Sequence, residues 1–420
     1  MFRSLFLFII ITSATGVFAQ NGPAGFDLSS SGIRIEPDKR VMIVLATLEA
    51  GRTTNAAGDS VPVIKTPLSA EGERFRELLK SDLAALPADL RQKISTFLIA
   101  HKKRYPDQTD AQLVAPFISM AYALTQPPDL ADPVVTVDLP GNLLDVLDFA
   151  PLVREFYRRS SFSGNINEYV KAYQKAADGR LRASTGDMAS EILSYLNTRP
   201  RTTVVERIRT ETKKPKGKTT LRNVETRERE RTFTIVPEML APLDTVNFVN
   251  VKDEYFVIVP AELPADRDLR FSEARRGFLQ FVVDPLIYAN SKDIETIRPL
   301  VKKLLDDRRK IDPAVSPDVY LTISRSLVAA IDAKEAEHSR VKALTAQARE
   351  RINTLKTDPE KRAVVLELEK TKAALADETV LRLSEDYEKG ALLSFFFAEQ
   401  LNGFADSGFD IASSIRDMIL

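Results

Sequence analysis

The chain contains no cysteine. That excludes a disulfide framework, a thiolate metal ligand, a nucleophilic thiol and a cysteine for lipid attachment, so the folded state must rest on burial alone. Histidine is nearly as scarce. Only His101 and His338 occur in 420 residues, far apart and set among charges, HKKR and EAEHSR. Catalytic zinc sites draw on clustered nitrogens or a histidine–carboxylate set, so neither histidine reads as a ligand. A Ser-His-Asp arrangement would have to use one of the two, and no Gly-x-Ser-x-Gly elbow accompanies them. A glycine-rich phosphate loop is missing as well. No charge of one sign prevails: Lys plus Arg number 59 and Asp plus Glu 59. The whole molecule therefore has no field that would steer it to nucleic acid, which is not an expected partner. No apolar run approaches the roughly 20 residues a membrane-spanning helix needs.

What is present starts with MFRSLFLFIIITSATGVFA. One cation at Arg3, an apolar run from Leu5 to Ile11 and a small-residue end at Val17-Phe18-Ala19 form the pattern of a secretory signal peptide over residues 1–19. Export to the periplasm or beyond the cell is the expectation. Residues 20–32, QNGPAGFDLSSSG, read as a flexible linker. With 44% apolar residues and only 16 glycines the remainder is an ordered globular protein with room for more than one core.

Three regions follow. Residues 33–200 read as mostly helical, opened by a strand in RVMIVLATLEAG and continued by helices near 69–86, 88–104, 111–124, 143–157, 166–177 and the second half of 179–196. Residues 201–290 change texture. TTVVERIRTET and TTLRNVETRERERTFTIV read as a hairpin turning at Pro215 and Gly217, followed by the strand EYFVIVP at 254–260. Residues 291–420 return to helix. Ser316-Pro317-Asp318 starts one arm of a long antiparallel pair reaching about Thr357, and Pro359 to Ala376 forms the other. The expected fold class is α+β and predominantly helical, with a small antiparallel sheet from the early strand, the hairpin and the 254–260 strand packed on helices.

The stretch FSEARRGFLQFVVDPLIYA, residues 271–289, carries the functional question. Phe271, Ala274, Phe278, Phe281 and Val282 share one helical face, and Pro285 is expected to end the segment. Arg276 and Gln280 are four apart and project from one side. A strand before the helix, Asp284-Pro285-Leu286 closing it, and a glutamate-bearing helix expected over Tyr387 to Phe404 together resemble a family of uncharacterised, secreted bacterial zincin-like metallopeptidases. Members of that family carry His-Glu-Phe-x-His followed by Phe-Val-Asn-Pro-Leu, where this chain has RGFLQ and FVVDPL. The likeness extends upstream through FYRRSSFSGNINEYVKAYQKA and TFTIVPEML.

The resemblance implies a zincin-like core and a zinc site, but at the positions that would hold it this chain has Arg276, Gly277 and Gln280. A guanidinium has no lone pair for a metal, glycine cannot act as a base, and an amide is a poor zinc ligand. No metal or other cofactor is expected. Glu385 and Glu388, where a third ligand would come from, are candidate cleft carboxylates whose simpler reading is surface charge.

The expectation is a non-catalytic exported protein on a degenerate zincin-like scaffold that binds a peptide or protein. Arg276 then either anchors a peptide carboxylate or makes an internal ion pair, the second being preferred. Two alternatives stand beside it: a hydrolase using an unconventional set of carboxylates, and a structural envelope protein. The segment from Arg199 to Arg231 has 12 basic and five acidic residues. It reads either as an anion- or partner-binding ribbon or, preferably, as a solvated ribbon with Arg and Glu paired across its strands.

Overall fold

The computed structural model describes residues 26–55, 57–133, 141–212, 221–264 and 268–420. The expected signal peptide and the expected hairpin turn at Pro215 and Gly217 lie outside these residues. The chain is a predominantly helical α+β protein built on both faces of one four-stranded sheet.

The chain enters through a short turn at Ser29–Ser31, and β1 (Ile33–Ile35) follows at once. The expected linker is therefore ordered from Asp27, whose carboxylate accepts from the Ser29 backbone and hydroxyl. RVMIVLATLEAG is helix α1 (Lys39–Ala50), not a strand. Asp38 caps it by accepting from the Arg40 amide at 2.8 Å. Every residue from Val41 to Leu48 is buried. A helix buried on all sides has no polar face, so its apolar run lacks the period that separates helix from strand.

The strands β2 (Arg52–Thr54) and β3 (Ser60–Pro62) form a small hairpin, and a run of helices follows: α2 (Ala70–Ala84), α3 (Ala88–Arg104), α4 (Asp110–Ala123), α5 (Gly141–Leu147), α6 (Ala150–Arg159), α7 (Phe162–Ala177) and α8 (Arg180–Leu196). Ser69 caps α2, and Thr109 forms a reciprocal capping box with Gln112 on α4. The expected single helix over 143–157 is two, and α8 is helical throughout rather than only in its second half.

The ribbon β4 (Thr203–Thr212) and β5 (Leu221–Glu230) is a separate two-stranded antiparallel sheet. Its register sets Glu206 opposite Arg227 and Glu211 opposite Arg222. The chain leaves the ribbon at Arg231 to become β6 (Thr232–Glu238), followed by β7 (Asn247–Val251) and β8 (Glu254–Pro260). The main sheet runs β1-β6-β8-β7. It is mixed, with β1, β6 and β8 parallel and only the edge strand β7 antiparallel.

The two faces of this sheet bury different cores. Phe233, Ile235, Tyr255, Val257 and Val259 pack on one side, while Val236 and Ile258 pack on the other with α1, α4 and α7. That alternation is the period-two rule of a strand covered on both faces. The first core is closed by α9 (Ala274–Ala289), α10 (Ser291–Ile311), the long pair α11 (Val319–Thr354) and α12 (Asp358–Glu388), then α13 (Ser394–Gln400), α14 (Phe404–Ser407) and α15 (Ile411–Ile419). The helix expected over Tyr387 to Phe404 is interrupted. α12 stops at Glu388, and Gly390, at φ +99°, takes a left-handed conformation that an L side chain rarely adopts.

Candidate functional site

Pro285 does not end α9, which runs on to Ala289. A proline inside a helix leaves the carbonyl four residues back without its donor. That carbonyl is Phe281's, and the buried Arg231 guanidinium donates to it at 2.9 Å. Arg231 is also placed over the Phe281 ring, 4.7 Å from the centroid, and donates to the Arg201 carbonyl at 2.7 Å. One cation from the ribbon's exit thus repairs the helix that the proline interrupts.

Arg276 and Gln280 lie along the flank of α9 that meets α11, together with Asp284. The two helices run antiparallel there: Arg276 reaches Asp332, and eight residues further along α9 Asp284 reaches Ser324, eight residues earlier on α11. Arg276 donates from Nε to Asp332 at 2.8 Å and from both terminal nitrogens to Asp386 of α12, at 2.7 and 2.8 Å. The fork-on-carboxylate geometry is the strongest form of this pair. Burial opposes the Arg276 charge, but Asp386 and Asp332 outweigh it and hold the guanidinium above its ordinary pKa.

Its neighbour Arg275 is 5% exposed and donates to Asp332 at 2.8 Å, to Glu335, and to the Arg270 carbonyl. Arg382 of α12 adds a further donor to Asp332. Three guanidinium groups therefore meet three carboxylates, Asp332, Glu335 and Asp386, where α9, α11 and α12 converge. The Ser339 hydroxyl donates to the remaining Glu335 oxygen at 2.8 Å. Each carboxylate already has at least one cation for a partner, which is the condition under which buried charge is tolerated.

Gly277 is the position at which the sequence resemblance would place a glutamate base. It faces the sheet with no space to spare: a Cβ there would lie 2.7 Å from Val257 Cγ2 and 2.9 Å from Phe248 Cδ2. The missing side chain lets α9 settle on β7 and β8. Asp284 is buried and accepts from the Tyr255 hydroxyl at 2.6 Å and the Ser324 hydroxyl at 2.5 Å, with Gln280 also reaching it. Burial raises its pKa against those hydrogen bonds. Gln280 is thus a bracket for Asp284.

The two candidate carboxylates fall elsewhere. Glu385 is exposed, and Glu388 is a surface partner of Arg308. Between them Asp386 turns inward, and it is the acid from this helix that meets α9. His101 is buried against Phe117, neither ring nitrogen is hydrogen-bonded among the described residues, and burial lowers its pKa. His338 lies beside Tyr195, their ring centroids 5.8 Å apart. Among the described residues, no group of three or more His, Asp or Glu side chains is arranged to hold a metal ion. The donor set around position 276 does not fit zinc: its carboxylates are taken by guanidinium groups, and none of those groups can ligate. No protein-family model, curated protein or solved structure matches the chain.

Proposed function

We propose that this chain is an exported, non-catalytic protein on a degenerate zincin-like scaffold, and that it acts by holding an extended peptide or protein segment. The observation that carries the reading is Arg276. At the place where the resembling family has its first metal-binding histidine, the side chain is a structural cation pinned by Asp332 and Asp386. The steric closure at Gly277 supports it further. Export rests on the pattern of residues 1–19, and no helix of the described residues is long and apolar enough to cross a membrane.

The binding half of the proposal rests on β7. Among the described residues this strand pairs only with β8, so its outer edge offers unpaired backbone donors and acceptors. An extended segment added there would gain main-chain hydrogen bonds, with the half-exposed Phe248 beside it for side-chain contact. A hydrolase working through carboxylates is disfavoured because the acids grouped beneath α9 are matched by three arginines.

The test joins metal analysis to hydrogen exchange. After dialysis the purified protein should hold no stoichiometric zinc and should cleave no peptide in a chelator-sensitive way. Peptides selected from a random extended library should slow amide exchange at residues 247–251. One tightly held zinc per chain together with chelator-abolished hydrolysis defeats the non-catalytic reading. Binding that protects other segments and leaves β7 unchanged defeats the strand-addition reading.

A further inference from the structure

The loop joining α8 to β4 lies at the root of the basic ribbon and lines an open cleft of about 880 Å³. Small-molecule sites commonly occupy roughly 300–1,000 Å³. The Ser29–Ser31 turn and the start of α15 complete the walls. Five of the fourteen lining residues bear a hydroxyl: Ser30, Ser31, Ser190, Ser194 and Thr198. Ser31 is only 7% exposed, and its hydroxyl makes no hydrogen bond among the described residues.

Arg199 and Arg201 border the same space. Both are exposed, and neither guanidinium forms an ion pair among the described residues. Other arginines near the ribbon's base are matched, Arg34 by Glu230 and Arg229 by Asp253. The two acids on the cleft wall are committed to local structure. Asp27 accepts from Ser29, and Asp410 caps α15 by accepting from the Ala412 amide at 2.9 Å. Positive charge without a partner is thus concentrated at Arg199 and Arg201, beside hydroxyls that can both donate and accept.

We propose that this cleft binds an acidic sugar, the two guanidinium groups taking its carboxylate or phosphate and the serine and threonine hydroxyls taking its hydroxyl groups. The planar guanidinium fork matches either anion. Phe26 and Leu193 give the cleft a small apolar wall suited to the C–H face of a sugar ring. A bare anion would leave the hydroxyls idle, and a neutral sugar would leave the arginines idle. The inference is independent of the reading of α9.

Saturation-transfer NMR on the purified protein tests it, with glucuronate, galacturonate and glucose phosphate as probes and glucose and inorganic phosphate as controls. At least one acidic sugar should bind at millimolar concentration and outcompete both controls; whether it is a uronate or the phosphate identifies the anion. Arg199→Ala with Arg201→Ala should weaken binding by about tenfold or more, as loss of a charge-assisted pair implies. Ser194→Trp, which fills the cleft from an exposed position, should abolish it, and both variants should keep the parent's thermal unfolding. The proposal fails if none of the three acidic sugars binds, if glucose or phosphate binds as well as they do, or if both variants bind like the parent.

Discussion

Asp332 and Glu238 are both fully buried, one on each side of the central sheet, and they meet burial in opposite ways. Asp332 accepts from Arg275, Arg276 and Arg382, so its site supplies more positive charge than it needs and shares the surplus with Glu335 and Asp386. Among the described residues Glu238 has no cation in contact. The Tyr173 hydroxyl donates to its Oε1 at 2.6 Å and the Leu240 amide at 3.1 Å, while Oε2 has no hydrogen-bond partner among the described residues. Burial pushes its pKa up to about 7 despite those hydrogen bonds. Desolvation sets the same problem for both acids. One side of the sheet answers with guanidinium groups that tie three helices together, the other by letting the acid take a proton.

Breaking the first answer should have the largest effect. Asp332→Ala leaves Arg382 without its carboxylate, takes a carboxylate partner from each of Arg275 and Arg276, and should cost about 3–5 kcal/mol, as expected when one partner of a buried pair is removed; urea unfolding measures it.

Glu238 sharpens the contrast through pH. Its folded pKa, about 7, lies above the ordinary 4.5, so the folded chain holds this proton more tightly than the unfolded one. Its contribution to stability is complete below pH 4.5 and is lost as pH rises through about 7. Glu238→Gln should therefore raise stability at mildly alkaline pH by on the order of 1–3 kcal/mol and flatten the slope between those pH values. A parent slope that the glutamine variant retains would assign the titration to another group.

Gly277→Ala should cost about 1–3 kcal/mol by overpacking against Val257 and Phe248. An unchanged melting temperature would mean that α9 has room for a side chain there. At the small end, Glu385→Ala and Glu388→Ala should stay within about 0.5 kcal/mol, as surface changes do. A larger loss in either would mean that the acids of this helix share the work of Asp386.

The helical framework is legible where its starts carry local chemistry: Ser69 accepts from the Gly72 amide as α2 opens, and the Ser316-Pro317-Asp318 signal marks the start of α11, although Asp318 rather than Ser316 is the cap and the helix begins after Pro317. α1 was misread for the opposite reason, since burial on every side erases the period. The edge strand β7 was overlooked although NFVNV precedes EYFVIVP with only Lys252 and Asp253 between them, and Lys252, at φ 59°, makes the tight turn. At the candidate site, the internal pair preferred for Arg276 is present. Its partners were not foreseen. Asp332 and Glu335 sit in SLVAAIDAKEAE, where an acid at the end of an apolar run is itself a sign of a buried pair, and Asp386 is hidden between two exposed glutamates. Arg231 could have been sought from Pro285, because a proline within a helix requires a substitute donor for a carbonyl one turn back.

The account's central claim is that position 276 has become part of the scaffold, and a double-mutant cycle on Arg276→Met and Asp386→Leu tests it most directly. Coupling of about 2 kcal/mol or more is predicted, with the double variant more stable than the sum of the single losses implies. Additive losses agreeing within about 0.5 kcal/mol would contradict it.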